Sequence, residues 1–517
     1  MTAQKRSYHL LGNSAWNATA FLVSVGLNLI ILPFVLLSLG ANVFGIAGLV
    51  TACIAPALAF SNTLALSTTR ELAQRLAASE RDDARRFFAA ALLLAIATGG
   101  AIVILFALAG PPLARLAFHL NGMDGSDLTL AFVLGALGWL CQCLSAVFLA
   151  LFTARQDYRR IASINIVSTV MATGAMLVLI PRWPLASTFL GCQALGFAAS
   201  LVAAFALSLR TIRQWLAPPA FHRGPLGQLV RLGAWQLAAQ GGGLIAGQAD
   251  RYLLGALMPP QFVGFYTVAQ RLEEAMYVGI LKVGEILFPL FSTMQRESID
   301  RKADLLFRSS WILNLLAASA LGALIPVAGP LLDVWTGREA ATEAQQVLVV
   351  LAVAGMIGCS ANVFAFYLLA QGRSQSNALI SMVTAVFTLA TSAVTLPTFG
   401  WQAAGWSACV GMIAQMVTTV ILLRRGFGLA GMWSRVLHFV LMPLGIGIAT
   451  ALVLRYIGRD ALSDHAPAWW YVGGIYLLAA GIIFVVVVAA SRIGPYGDAC
   501  WRDLRVIASR FLPMRAS

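Results

Sequence analysis

The chain has 517 residues, of which 59% are hydrophobic and only 11% charged, and its net charge is +14. A soluble chain carries about 25% charged residues, so this composition excludes a soluble globular protein and implies a polytopic membrane protein. The basic residues sit in short segments between apolar runs, so membrane topology accounts for them and nucleic acid is not the partner they imply.

A helix needs about 20 apolar residues to cross a bilayer. Fourteen segments satisfy this, near 13–38, 45–68, 87–109, 128–152, 161–180, 185–209, 232–257, 262–291, 307–326, 346–370, 377–396, 402–423, 436–457 and 469–490. Met1 to Arg6 is short and basic, but the run after it is too long for a signal-peptide core and lacks a cleavage site, so the first span is expected to be its own signal anchor. With the N-terminus inside, 27 of the 35 Lys and Arg residues fall on the cytoplasmic side, three fall within spans, and five fall outside: Arg115, Arg182, Arg338, Arg455 and Arg459. This asymmetry predicts that both termini are cytoplasmic. No loop is long enough to fold as a domain. In the tail, WRDLRVIASRFL puts Trp501, Leu504, Ile507 and Phe511 on one helical face, with Arg502, Arg505 and Arg510 towards the other. That pattern suits a helix lying on the inner leaflet, and a disordered basic tail is the alternative. The seven cysteines show no metal-site spacing and read as packing residues.

The chain repeats itself weakly. LLSLGANVFGIAGLV at 36–50 resembles LLGALMPPQFVGFYTVAQ at 253–270, and a shift of 219 residues superposes Gly45 on Gly264 and Asn17 on Gln236. LFTARQDYRR at 151–160 and LLAQGRSQSN at 368–377 form a second pair, each between the fourth and fifth spans of its half. The expected organisation is a six-helix lobe over 1–215, a second over 216–430, an extra helix pair over 431–490 and a basic tail over 491–517. Repeats with an even number of spans share one orientation, are related by an axis along the membrane normal, and bind substrate between them near mid-membrane.

Polar residues form stripes. Asn13, Asn17, Ser24 and Asn28 fall within about 60° on the first span, and Gln236, Gln240, Asp250 and Arg251 share one face of the seventh. The eighth span carries Arg271, Glu273, Glu274, Lys282 and Glu285; all but Glu273 lie within about 80° of one another, and Glu273 points elsewhere. Intramembrane charges usually mark substrate or ion paths. Arg offers a planar fork to phosphate oxygens and Lys a point charge. Arg251, Arg271 and Lys282 are therefore candidates to hold a pyrophosphate. Asp250, Glu274 and Glu285 are candidate coupling carboxylates, and Asn13, Asn17, Asn28, Gln236 and Gln240 are candidates to contact a glycan through hydrogen bonds. The competing reading pairs Asp250 with Arg251 or Arg271, and Lys282 with Glu274 or Glu285, as structural bridges between helices.

The segment GQADRYLLGALMPPQFVGFYTVAQRLEEAMYVGILKVGEILFPLFSTMQ resembles the seventh and eighth spans of polysaccharide-biosynthesis (Wzx-like) flippases of the multidrug/oligosaccharidyl-lipid/polysaccharide (MOP) exporter superfamily. Asp250, Arg251, Leu253, Leu254, Gly255, Gly264, Tyr266, Phe288 and Pro289 match the family pattern. Gly400, Ala403, Ala404 and Gly405 resemble its eleventh-to-twelfth turn, and the resemblance spans roughly residues 8–425. It departs from the pattern at Glu273-Glu274, where less charge is expected. The resemblance implies an all-α transporter of about 14 helices in two pseudo-symmetric lobes. Its implied substrate is an undecaprenyl-pyrophosphate-linked oligosaccharide, flipped outward by alternating access for capsule, exopolysaccharide or O-antigen. The implied partners are that lipid-linked substrate, membrane lipids and polysaccharide polymerase or assembly proteins. No cofactor is implied; the energy source is the membrane potential or a coupled H+ or Na+, since no phosphate-binding GxxxxGK[ST] loop is present. A cation-coupled multidrug exporter of the same superfamily is the runner-up, although it would want a site with fewer cations. A membrane glycosyltransferase or polymerase ranks lower, because no outer loop is large and the first, GANVFG, has no acid.

Overall fold

A computed structural model describes residues 3–213 (except 79, 119 and 121–124), 247–287 (except 286), 291, 297–427 (except 372 and 373), 432–458, 468–493 and 496–503 (except 499). The chain is an all-helical, multi-pass membrane protein. Among the described residues, eleven helices are long and apolar enough to cross a membrane. Large apolar side chains such as Leu108, Val394, Phe399 and Trp470 stand exposed on their outer faces, which suits lipid contact and not water.

The helices fall into two compact units, residues 1–264 and 265–517. The first unit begins with α1 (Ala3–Ala77), which holds the first two expected spans in one helical run interrupted only at Gly40, with φ 74° and ψ 157°. The expected GANVFG loop thus shrinks to one residue, because glycine alone enters that backbone region without strain. There follow α2 (Arg81–Phe118), α3 (Gly125–Ala154), α4 (Tyr158–Leu179) and α5 (Ala186–Arg213). Asp127, 7% exposed, accepts the backbone N–H groups of Ala186 and Ser187 at 3.3 and 3.0 Å, so the first turn of α3 caps the start of α5. Gly138 on α3 lies against Ala194 on α5, and the Ser145 and Ser200 hydroxyls meet at 2.7 Å. Small residues and buried hydroxyls are how helices approach closely without a hydrophobic drive from the surrounding lipid.

Residues 247–257 form α6, and α7 (Pro260–Glu285) carries the charged eighth span across the boundary between the units. The start of α7 packs on the second arm of α1. A methyl group placed on Gly45 would overlap the Pro260 carbonyl oxygen, and one on Gly264 would lie 2.5 Å from the Ala41 carbonyl oxygen. Residues 41 and 45 correspond to 260 and 264 under the 219-residue shift. The contact is therefore reciprocal: each glycine meets the backbone at the position that corresponds to the other's obstacle. Alongside it, the Tyr252 hydroxyl donates to the Ala52 carbonyl at 2.7 Å.

The second unit contains α8 (Ile299–Gly322), the short α9 (Leu324–Thr336), α10 (Arg338–Ala370), α11 (Ser374–Phe399), α12 (Ala403–Phe427), α13 (Met432–Gly458) and α14 (Trp469–Ser491). Gly337 and Gly400, at φ 92° and 79°, end α9 and α11. The last pair of helices is part of this unit's core: Ala451, Ile483 and Val487 are fully buried with Trp311, Phe307 and Phe364. A π-turn at Leu437–Leu441 bends α13, and the buried Asn314 donates to the Phe439 carbonyl there at 3.1 Å while also bonding Ser360.

The chain after α14 folds back. Asp503 accepts from Arg308 Nε at 2.7 Å, Arg308 also reaches Asp304 at 3.1 Å, and Arg492 stacks on Trp501 at 4.4 Å. Cys500 is buried beside His438 at 4.0 Å, and burial pushes its thiol up to about 12. The amphipathic face expected from Leu504 onwards lies outside the described residues.

Candidate functional site

The charges gather on α6 and α7. Arg251 is buried in the first unit at 5% exposure, and its guanidinium donates to Gln248 Oε1 at 2.9 Å. Asp250, its neighbour, is half-buried. Residues i and i+3 face the same side of a helix, which is why Gln248 meets Arg251.

On α7 in the second unit, Arg271 and Glu274 are brought together at 3.1 Å, each side chain 47% exposed. An exposed pair of this kind contributes little to stability and leaves the remaining guanidinium N–H groups able to reach a ligand. Lys282 stands exposed three turns further along. Asn28 is exposed and donates to the Ser24 carbonyl at 2.7 Å, while Ser24 meets Thr169 on α4 at 3.2 Å. The side chains of Asn13, Asn17 and Glu285, and the whole of Gln236, Gln240, Phe288 and Pro289, fall outside the described residues.

Sequence reasoning set Glu273 apart from the charged face without finding its place. The structure turns it into the second unit, towards α10. A methyl group on Gly355 would overlap Glu273 Oε1. One turn on, Tyr277 leans on Gly358 and accepts a hydrogen bond from Asn362 Nδ2, which also donates to the Gly358 carbonyl at 3.0 Å. Glu273 and Tyr277 are four residues apart on α7 and Gly355 and Gly358 three apart on α10, about one helical turn each, which is a legible signal only once α7 and α10 are known to be neighbours. A second feature had no sequence signal. Within the same unit a cavity of about 530 Å³ is lined by Gln346, Thr395, Phe399, Gln402, Trp406 and Arg455, at helix ends. Among the described residues no group of three or more His, Cys, Asp or Glu side chains is arranged to hold a metal.

A family model described as "Polysaccharide biosynthesis protein" matches residues 39–344. No curated protein matches the chain in sequence. Among solved structures, the lipid II flippase MurJ in an inward closed conformation superposes with a TM-score of 0.72 at 10% identity, covering 96% of this chain and 100% of that one. A multidrug-resistance MATE-family transporter of the MOP superfamily, inward-facing, gives 0.65 at 15% identity over 79% and 94% of the two chains. A MOP-superfamily transporter from Pyrococcus furiosus gives 0.58 at 12% identity over 81% and 96%. At these identities the likeness is one of fold.

Proposed function

Because the chain belongs to the polysaccharide biosynthesis protein family and has the fold of MOP-superfamily transporters, we propose that it is a lipid-linked oligosaccharide flippase. It moves an undecaprenyl-pyrophosphate-linked glycan from the cytoplasmic to the outer leaflet of a bacterial inner membrane by alternating access. The observation that carries this reading is the family match over 39–344, which includes the charged helix α7. The fold alone is shared with drug exporters and does not choose between the two cargoes.

In this reading the lobes are 1–215 and 216–430, both termini are cytoplasmic, and no covalent chemistry is performed. Arg271 and Lys282 are exposed on α7 and suit the two phosphates of the headgroup, Arg271 as a fork and Lys282 as a point charge. Arg251 joins them only in a conformation that uncovers it, since it is 5% exposed beside Gln248. Asn13, Asn17, Asn28, Gln236 and Gln240 contact the sugars, and Asp250, Glu274 and Glu285 balance the cations. The polyprenyl tail stays in lipid, and polymerase or assembly proteins take over the product.

The test is mass spectrometry of lipids that co-purify with the protein in mild detergent. Wild type should carry a polyprenyl-pyrophosphate saccharide, and an Arg251→Gln/Arg271→Gln/Lys282→Gln variant should lose it at least tenfold. Equal retention by the variant removes these cations from the headgroup site. Bulk phospholipid alone in wild type turns the reading towards drug export.

A further inference from the structure

Glu273 is half-buried halfway along α7, and its Oε1 and the buried Leu321 of α8 converge on Gly355. Among the described residues no Lys or Arg pairs with it, since Arg271 is engaged by Glu274. Its carboxylate lies against bare backbone at Gly355, in a notch that any side chain there would fill. The groups around it offer no compensating charge. On α7 these are Glu274, bound to Arg271, and Tyr277, bound to Asn362. On α10 there is Cys359, buried nearby. Leu321 from α8 and Met412 from α12 are apolar, and the Tyr476 hydroxyl of α14 donates to the Ala320 carbonyl at 3.0 Å.

An ionised carboxylate without a counter-charge is costly in a membrane interior. A metal cation would need a shell of oxygens, whereas Tyr277 is already accepting a hydrogen bond and the helix carbonyls serve their own helices. A proton needs one oxygen.

We propose that Glu273 is a proton-binding site, its carboxyl neutral while seated in the Gly355 notch and ionised when the separation of α7 from α10 lets water in. The proton is taken from and returned to the aqueous phase. The further step, that this exchange couples transport to a proton gradient, rests on the flippase reading above; proton binding itself does not.

The test is infrared spectroscopy of the full-length protein in nanodiscs, taking the difference between wild type and Glu273→Gln. At pH 7 an ordinary glutamic acid is only about 0.2% neutral. The difference spectrum should show the C=O stretch of a neutral carboxyl at pH 7. Gly355→Ala, whose methyl takes the place of Oε1, should reduce that band at least tenfold. A difference spectrum with only carboxylate bands at pH 7 overturns the proposal, as does an undiminished neutral band in Gly355→Ala. A neutral band in a protein that flips no lipid-linked glycan supports the proton site and sinks the flippase reading, so the two failures are separable.

Discussion

The reciprocal glycine crossing makes a prediction with an unusual form. In Gly45→Ala the new methyl overlaps the Pro260 carbonyl oxygen and sits 2.7 Å from its carbon; in Gly264→Ala it sits 2.5 Å from the Ala41 carbonyl oxygen. Both obstacles are backbone, so neither can rotate away. The second arm of α1 and the start of α7 must separate, by more than about 1 Å for the first substitution and somewhat less for the second. Overpacking of this kind costs about 1–3 kcal/mol, and rigid backbone obstacles place both substitutions near the upper end. Because one separation relieves both clashes, the second substitution should be nearly free once the first is present. The double variant should cost about 3 kcal/mol where additivity would give about 5, a coupling well above the few tenths seen between independent sites. Equilibrium unfolding of the purified protein in mixed detergent micelles reads all four corners of the cycle. Strict additivity, or a cost below about 0.5 kcal/mol for either single change, would refute the shared contact.

Three other outcomes follow from named contacts. Asp127→Ala should destabilise the protein by about 1–2 kcal/mol in the same assay by uncapping α5, whereas Asp127→Asn, which keeps an acceptor, should cost less. Asn314→Ala leaves the buried Phe439 carbonyl without its donor and should cost about 1–3 kcal/mol; a change near zero would deny that bond a role. Cys500, its thiol pushed up to about 12 by burial, stays neutral through the ordinary pH range, since a raised thiol ionises only as pH approaches that value. Its alkylation at pH 8, read by peptide mass spectrometry, should be slower than that of an exposed thiol by on the order of a thousandfold. Alkylation as fast as that of an exposed thiol would deny that Cys500 is buried there.

Hydropathy made the helices legible because each apolar run must satisfy its backbone internally. It also counted α7 among the spans, although α7, with its five charges, is not among the eleven described helices that are apolar enough to cross a membrane. Gly45 and Gly264, which the 219-residue shift superposes, both stand where close approach of two backbones demands glycine. What periodicity could not supply was the neighbour each face meets. It put Glu273 on its own side of α7, but the notch at Gly355 depends on a helix 82 residues downstream in sequence. Asp127 capping α5 and Asp503 clasping Arg308 are likewise long-range pairs without a local pattern. The basic tail read as a membrane-surface helix because its own composition allows it; the described part, through Asp503, is held by a partner that composition does not reveal.

The central claim is that this protein carries a lipid-linked glycan across the bilayer. The most direct measurement reconstitutes it in liposomes holding a polyprenyl-pyrophosphate oligosaccharide and follows the sugar's accessibility to a glycosidase added outside. Wild-type protein should expose the inner-leaflet glycan at least tenfold faster than protein-free liposomes do, and Arg271→Gln/Lys282→Gln should lose most of that gain. Exposure no faster than in empty liposomes, in a preparation that transports cationic drugs, would contradict the account.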